Sequence, residues 1–116
     1  MTAAMEAFVR VEGLAAADVS EGSLHGATLA NGTRLCVGRH AGVLFAMKDY
    51  CTHAEFPLSE GSVLPSGEIE CCWHGARFDC RSGAVRRGPA EDALAMWEVE
   101  ERDGAIFARR PPRAGP

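Results

Sequence analysis

The chain has 116 residues, which suits one domain, and with 47% hydrophobic and 24% charged residues its composition is that of an ordinary globular protein. Its formal net charge of -4 and its single lysine, Lys48, argue against nucleic acid as a partner, because phosphate recognition needs clustered cations. No apolar run is long enough for a bilayer, and Glu6, Arg10 and Glu12 interrupt the N-terminal stretch where a signal peptide would be apolar, so we expect a cytoplasmic protein with no membrane partner.

Short apolar segments separated by glycine-containing turns predict an all-β chain. The segments with the pattern of strands are 8–13, 25–30, 33–39, 43–48, 93–100 and 105–109. Asn31 and Gly32 predict a hairpin between the second and third of these segments, because both residue types tolerate a positive φ. Asp103 and Gly104 predict a closing hairpin for the same reason. Residues 43–48 are apolar on both faces, which indicates a strand that is buried on both sides.

The regular pattern fails between residues 49 and 90. This stretch holds four of the five cysteines, two of the four histidines and three of the six prolines, which predicts a group of shaped loops on a β scaffold. We therefore expect a single domain over residues 1–110 with a loop-rich subdomain at about 49–90. The proline-rich segment 111–116 is expected to be a frayed tail.

Two short motifs in the loop region have the residue types of a metal site. The first is a C-x-H pair, Cys51 and His53, and the second contains Cys71 and His74 as a C-x-x-H pair. Cys72 is also close enough to His74 to form a C-x-H pair, so spacing alone leaves the second cysteine ligand open. In a cytoplasmic protein, cysteines in such motifs indicate metal binding more often than disulfides.

Because each pair contains one cysteine and one histidine, fewer kinds of metal centre fit the two motifs. Thiolate and imidazole ligands suit both zinc and iron–sulfur clusters. Zinc sites usually pair like with like, as two cysteines or two histidines in one motif, whereas here each motif has one of each. This mixture favours a two-iron cluster in which one iron takes the thiolates and the other the imidazoles. A zinc-bound structural module is the alternative, and it would be colourless.

The stretches CTH (51–53) and CCWHGARFD (71–79) resemble the two ligand loops of Rieske [2Fe–2S] proteins. More narrowly, the chain resembles the small Rieske ferredoxins of bacterial aromatic-ring-hydroxylating dioxygenases, from the first strand to the closing hairpin. The resemblance implies one [2Fe–2S] cluster with Cys51 and Cys71 on the inner iron and His53 and His74 on the outer iron. It also implies an all-β Rieske fold, in which an antiparallel sandwich or barrel base carries a smaller, loop-rich, cluster-binding subdomain. It favours Cys71 as the ligand, because the next position usually holds a proline in the family.

The two loops of this chain differ from those of respiratory Rieske proteins at several positions. Respiratory Rieske proteins join their two loops by a disulfide, and the corresponding positions here are Phe56 and Trp73, which cannot form one. Those proteins also place a serine where this chain has Ala76, so the resemblance implies a redox potential at the low end of the family range. Cys72 is left with two interpretations, an idle thiol or a weak hydrogen-bond donor near the cluster.

For five further residues the sequence indicates a position in the fold. Cys36 and Cys80 are expected to be small buried apolar side chains, and Phe78 is expected in the core. His25 and His40 adjoin turn glycines, which indicates positions at the surface or at a strand edge.

A set of apolar residues near the proposed ligands is expected to form a collar for docking partners, together with the proline-containing segment 86–90 that covers the cluster in the family. These residues are Phe56, Pro57, Leu58 and Trp73.

The function that the resemblance implies is electron transfer. With two thiolates and two neutral imidazoles the oxidised cluster has no net charge, so it accepts an electron more readily than a cluster with four thiolates. The chain would then take one electron from an NAD(P)H-dependent flavin reductase and pass it to a terminal oxygenase of aromatic hydrocarbon catabolism, without being an enzyme itself. The alternative is the Rieske small subunit of another redox enzyme, such as an assimilatory nitrite reductase.

Overall fold

The computed structural model describes residues 7–52, 56–72 and 75–111 of the chain. Within these ranges the regular structure consists of ten β-strands and two short 3₁₀ helices, Ala16–Asp18 and Leu58–Glu60. The strands are β1 (Val9–Ala15), β2 (Leu24–Thr28), β3 (Arg34–His40), β4 (Val43–Lys48), β5 (Ser62–Val63), β6 (Glu68–Glu70), β7 (Arg77–Asp79), β8 (Val85–Arg87), β9 (Met96–Arg102) and β10 (Ala105–Arg109). Neither helix in these ranges has the length or the apolar character to cross a membrane.

Six strands form the larger sheet, in the order β1-β10-β9-β4-β3-β2, and all neighbouring pairs are antiparallel. Its two edge strands, β1 and β2, also contact each other, so the sheet curls into a barrel-like base. These are the six strands that the sequence pattern predicts, although β9 begins at Met96 rather than at residue 93. The all-β prediction and the barrel-like base are therefore confirmed.

A second, four-stranded sheet lies inside the region that was predicted to be loops. Its order is β5-β6-β7-β8, and its strands are only two or three residues long. The loop-rich character of this region was predicted but its sheet was not, because strands this short show no alternation that a sequence pattern can reveal. The small sheet is the scaffold of the loop-rich part.

The two predicted hairpins are both present. Asp103 and Gly104, with φ of 49° and 81°, form a two-residue turn between paired Arg102 and Ala105. The hairpin at Gly32, with φ of 91°, has a longer loop, which the amide of Leu29 closes by donating to Thr33 O at 2.8 Å.

The interior has two apolar cores, and β3 and β4 separate them. Leu35 and Val37 point from β3 into the core of the base, while the intervening Cys36 points into the other core. On β4, Ala46 belongs to the first core and its neighbour Met47 to the second. This arrangement explains why residues 43–48 are apolar on both faces, as predicted. The second core lies between the base and the small sheet.

Arg81 connects the small sheet to the base by hydrogen bonds. Its guanidinium donates hydrogen bonds to the carbonyl oxygens of His40, of Val43 at 3.4 Å and of Leu44 at 3.5 Å, and it lies 6.0 Å from the ring centroid of Phe45. Because these acceptors belong to the β3–β4 hairpin, the two parts of the molecule have a defined relative position.

Candidate metal centre

The first motif lies in a loop that begins shortly after β4. Cys51 is fully buried, and its amide donates a hydrogen bond to the carbonyl oxygen of Phe56 at 3.0 Å. This bond closes the loop on itself across the intervening positions. The predicted ligand His53 is one of those positions and lies outside the described residues.

The second motif follows β6 directly and has the same closure. The amide of Cys71, which is 1% exposed, donates to the carbonyl oxygen of Ala76 at 2.8 Å. In both loops the bond therefore joins a cysteine to the residue five positions later, although one motif is C-x-H and the other C-x-x-H. His74 and Trp73 lie outside the described residues.

The fold brings the two cysteines into one apolar core. Cys51 and Cys71 both belong to the core between the base and the small sheet, together with Cys36 and Cys80. No disulfide joins any of the five cysteines, all of which lie in the described part of the chain. Over the described ranges no group of three or more His, Cys, Asp or Glu side chains that could hold a metal ion is found.

The donor set fits a [2Fe–2S] cluster. Two thiol groups from two similarly closed loops lie in a shared apolar core, and a C-x-H or C-x-x-H motif places an imidazole beside each of them in sequence. Burial away from water suits sulfur ligands whose charge the iron neutralises.

Cys36 and Cys80 are buried as expected. Burial raises the pKa of the Cys36 thiol well above its usual range, and the nearby negative charge of Asp49 adds to that rise. Burial also raises the pKa of the Cys80 thiol. Both side chains are therefore neutral apolar packing groups rather than reactive thiolates.

The neighbouring cysteines of the second loop have opposite environments. Cys71 is buried in the core, whereas Cys72 is the exposed one among the five cysteines. This contrast favours Cys71 as the ligand, in agreement with the family register.

The proline-containing segment 86–90 contributes one residue, Ala90, to the same core, while residues 86–89 are exposed. Leu94, a few residues later, is also buried in this core. That the segment covers the cluster stays a prediction. The amide of Leu94 donates to the carbonyl oxygen of Gly83 at 2.9 Å, which ties this segment to the β7–β8 turn. We call residues 88–95 the cover segment.

Arg77 and Asp79, which follow the second loop on β7, both have polar partners. The guanidinium Nε of Arg77 lies 3.0 Å from Glu70 Oε2, so a salt bridge joins the residues that flank the loop. Asp79 accepts the amide hydrogens of Ser82 at 3.0 Å and of Arg81 at 2.7 Å. These bonds, aided by Arg86, lower the pKa of the Asp79 carboxyl.

The predicted collar is only partly available for docking. Leu58 is fully buried in the core, so its assignment to an exposed collar was wrong. Phe56 is half-buried and Pro57 is exposed, which leaves these two near the first loop. His25 and His40 are half-buried on β2 and β3, as expected for strand-edge positions.

Comparison with known proteins now decides the family. Residues 10–98 match the family model of the Rieske [2Fe-2S] domain. This chain belongs to the Rieske [2Fe–2S] domain family. The family carries a [2Fe–2S] cluster, which is the group that the donor set described above fits.

Two kinds of relative resemble the Rieske chain over most of its length. It is 41% identical over 90 residues to the ferredoxin component of the p-cumate 2,3-dioxygenase system of Pseudomonas putida, an alignment that covers 78% of this chain and 76% of that one. Its fold matches the ferredoxin of carbazole 1,9a-dioxygenase from Nocardioides aromaticivorans IC177 with a TM-score of 0.80 at 26% identity, covering 91% of this chain and 100% of that one. A chain in the complex of reduced oxygenase and oxidized ferredoxin of carbazole 1,9a-dioxygenase has the same TM-score of 0.80 at 29% identity, covering 93% and 97%.

Sequence reasoning missed the residues that hold the loops in place. Thr52 and Asp49 adjoin the first cysteine, and Ser59 follows the loop, but a hydroxyl or carboxylate near a turn is too common to stand out. Their partners are ten or more residues away, so only the fold reveals them.

Proposed function

We propose that this Rieske chain is a one-electron carrier that passes electrons from an NAD(P)H-dependent flavin reductase to a terminal ring-hydroxylating oxygenase in the cytoplasm. The observation that carries the proposal is the burial of Cys51 and Cys71 in one apolar core at the base of two similarly closed loops. The likeness to ferredoxin components of the p-cumate and carbazole systems supports the role of carrier rather than of enzyme.

The proposed ligand set is Cys51 and Cys71 on one iron and His53 and His74 on the other, for a single cluster. When bound, the cluster supplies one-electron chemistry. The chain contributes two thiolates shielded from water, which stabilises their bonds to iron, and two loop closures that fix the cysteine backbones. In each motif the histidine follows the cysteine in sequence, and the resemblance implies that the two histidines hold the outer iron.

The proposed partners follow from the relatives. One structural neighbour comes from a complex of an oxygenase with a ferredoxin, which supports an oxygenase as the electron acceptor of this chain. The same likeness favours a dioxygenase system over the alternative of a nitrite reductase small subunit. The relatives differ in the aromatic compound that their names contain, so they do not select a substrate for the system served here.

The experiment is electron transfer between purified components. A flavin-containing ferredoxin reductase and NADH should bleach the visible absorbance of the protein by one electron per chain, and an oxidised terminal oxygenase should restore it. Cys51→Ala should abolish the absorbance, whereas Cys36→Ala, which alters another buried cysteine of the same core, should retain it. A protein that dithionite reduces but that gives no electron to oxygenases of the p-cumate and carbazole types would contradict the proposal.

A further inference from the structure

Asp49 has a buried carboxylate that the ligand set does not use. Its side chain is 0% exposed and lies two residues before Cys51. Oδ1 accepts the amide hydrogen of Ser59 at 2.7 Å, and Oδ2 accepts the hydroxyl hydrogen of Ser59 at 2.7 Å. Oδ2 also lies 3.1 Å from Nη2 of Arg34, with which it forms a salt bridge.

The two residues bonded in this way stand on opposite sides of the first ligand loop. Asp49 precedes the loop that contains Cys51, and Ser59 follows it in the 3₁₀ helix Leu58–Glu60. Two hydrogen bonds between one carboxylate and one serine therefore clamp the ends of the loop, outside the inner bond from Cys51 to Phe56.

Arg34 connects this clamp to the base. It lies at the start of β3, and besides its salt bridge it accepts the amide hydrogen of Asp49 on its carbonyl oxygen at 3.0 Å. Gly26 on the neighbouring strand β2 leaves room for the group. A Cβ at position 26 would lie 2.7 Å from Arg34 Nη2 and 3.1 Å from both Asp49 Oδ2 and Ser59 Oγ.

We propose that Asp49 is a positioning residue, which through Ser59 holds the first ligand loop in the geometry that keeps Cys51 on the cluster. The proposal rests on the ligand set put forward above. Hydrogen bonds that fix the position of a ligand loop can affect a metal site without touching the metal.

The chemistry of the site requires a carboxylate rather than an amide. An ionised carboxylate only accepts hydrogen bonds, and here its partners are a backbone N–H, a hydroxyl and a guanidinium, all of which can donate. In Asp49→Asn one oxygen becomes an NH2 group that faces donors, so the shape is kept while buried hydrogen bonds are lost.

The test compares three variants of the full-length, cluster-loaded protein. Asp49→Asn breaks the clamp, Ser59→Ala removes one of its bonds, and Asp18→Asn is the control. Asp18 also accepts a backbone amide hydrogen, from Ala15 at 2.9 Å, but it lies in the 3₁₀ helix after β1 rather than at a ligand loop. The readouts are the rate of bleaching in excess chelator, the g values of the reduced cluster and the urea midpoint.

We expect Asp49→Asn to bleach about 10-fold faster than the wild type and to shift the g values, because Cys51 would be held less firmly on the cluster. Ser59→Ala should change the bleaching rate and the g values in the same direction but by less. If Asp49→Asn fails to fold, the result for Ser59→Ala tests the proposal. Asp18→Asn should leave both unchanged.

Bleaching that rises only in proportion to a lower urea midpoint, with unchanged g values, would show that Asp49 merely stabilises the fold and would overturn the proposal. A wild type with no Rieske-type signal would instead refute the proposed function, and this inference would fall with it.

Discussion

The hydroxyl of Thr52 donates a hydrogen bond to the carbonyl oxygen of Asp92 at 2.6 Å. Thr52 directly follows Cys51 in the first ligand loop, and Asp92 lies in the middle of the cover segment, 40 residues later in the chain. This bond holds the cover segment against the loop, while Ala90 and Leu94 fill the core beneath it. No sequence motif indicates this contact between the first ligand loop and the cover segment, which are far apart in the chain.

Removing this hydroxyl should expose the cluster. Thr52→Val keeps the shape of the side chain but loses the bond, at a cost of about 1 kcal/mol, because the Asp92 carbonyl then has only water as a partner. We expect faster bleaching of the cluster in excess chelator, measured by visible absorbance. Ser66→Ala, which removes a hydroxyl bonded to Glu68 at 3.1 Å in the β5–β6 turn, is the control and should bleach at the wild-type rate. Equal rates for Thr52→Val and the wild type would show that the cover segment is held by packing alone.

Gly61, which directly precedes β5, lies close to the backbone of β6 just before the second ligand loop. A Cβ at this position would lie 2.1 Å from the carbonyl oxygen of Glu70, the residue that precedes Cys71. Because backbone cannot yield as a flexible side chain does, Gly61→Ala should destabilise the protein by about 3 kcal/mol or more and reduce its iron content. Urea unfolding and an iron assay measure the two effects.

Gly88→Ala is the matched control for Gly61→Ala. Gly88 lies in the cover segment, where an added Cβ would meet nothing within 4 Å. We expect wild-type iron content and stability close to that of the wild type. If Gly61→Ala behaves in the same way as this control, the close approach of Gly61 to the Glu70 backbone is not required for the site.

Glu21 is expected to make the stability of the base depend on pH. Its carboxylate accepts the amide hydrogens of Gly42 at 2.9 Å and of Ala41 at 2.6 Å, and these bonds lower its pKa. A depressed pKa in the folded state contributes stability that is present above the unfolded value of about 4.3 and is lost as pH falls through the folded value. Glu21→Gln should therefore have a lower urea midpoint than the wild type at pH 7, and the difference should shrink at pH 3.

The control for this prediction is Glu12→Gln on β1. Glu12 is exposed and makes no hydrogen bond or ion pair with the described residues, so its substitution should leave the urea midpoint unchanged at either pH. A difference between Glu21→Gln and the wild type that stays constant from pH 7 to pH 3 would mean that the carboxylate charge is not what stabilises the turn.

The substitution Ala76→Ser tests whether the second loop affects the reduction potential of the cluster. It is fully buried, and its carbonyl oxygen accepts the amide hydrogen of Cys71. A hydroxyl at this position can donate to a cluster sulfur, which stabilises the reduced state, so Ala76→Ser should raise the reduction potential by on the order of tens of millivolts. Voltammetry on the purified protein measures the change, with the exposed Ala93→Ser as control. A potential that stays the same or falls would contradict this prediction.

The base of the fold was predictable because its strands are long and its turns have distinctive residues. Asp103 and Gly104 both adopt a positive φ, as their residue types indicate, and alternate residues of β10, Ile106 and Ala108, are buried in the core of the base. The small sheet was not predictable from alternation, because two or three residues span only about one repeat of in and out positions, which is too short to form a pattern.

The sequence indicated the candidate ligands of the site, but it did not indicate the contacts that hold the ligand loops in place. Mixed cysteine and histidine motifs identified Cys51 and Cys71, and burial then separated Cys71 from its neighbour Cys72. Leu58 was misplaced, because an apolar residue near a ligand has the same sequence signature whether it faces a partner or the core. The assignment of all four ligands stays a prediction, since burial alone does not show that a cysteine binds a metal and His53 and His74 lie outside the described residues.

The most direct test of the account is the low-temperature EPR spectrum of the dithionite-reduced protein, recorded for the wild type, Cys71→Ala and Cys72→Ala. The account predicts a rhombic signal, with the lowered average g of a histidine-ligated cluster, in the wild type and in Cys72→Ala but not in Cys71→Ala. A signal that survives in Cys71→Ala and vanishes in Cys72→Ala would show that the ligand register is wrong. A colourless wild-type protein that contains zinc and gives no signal would contradict the electron-transfer function itself.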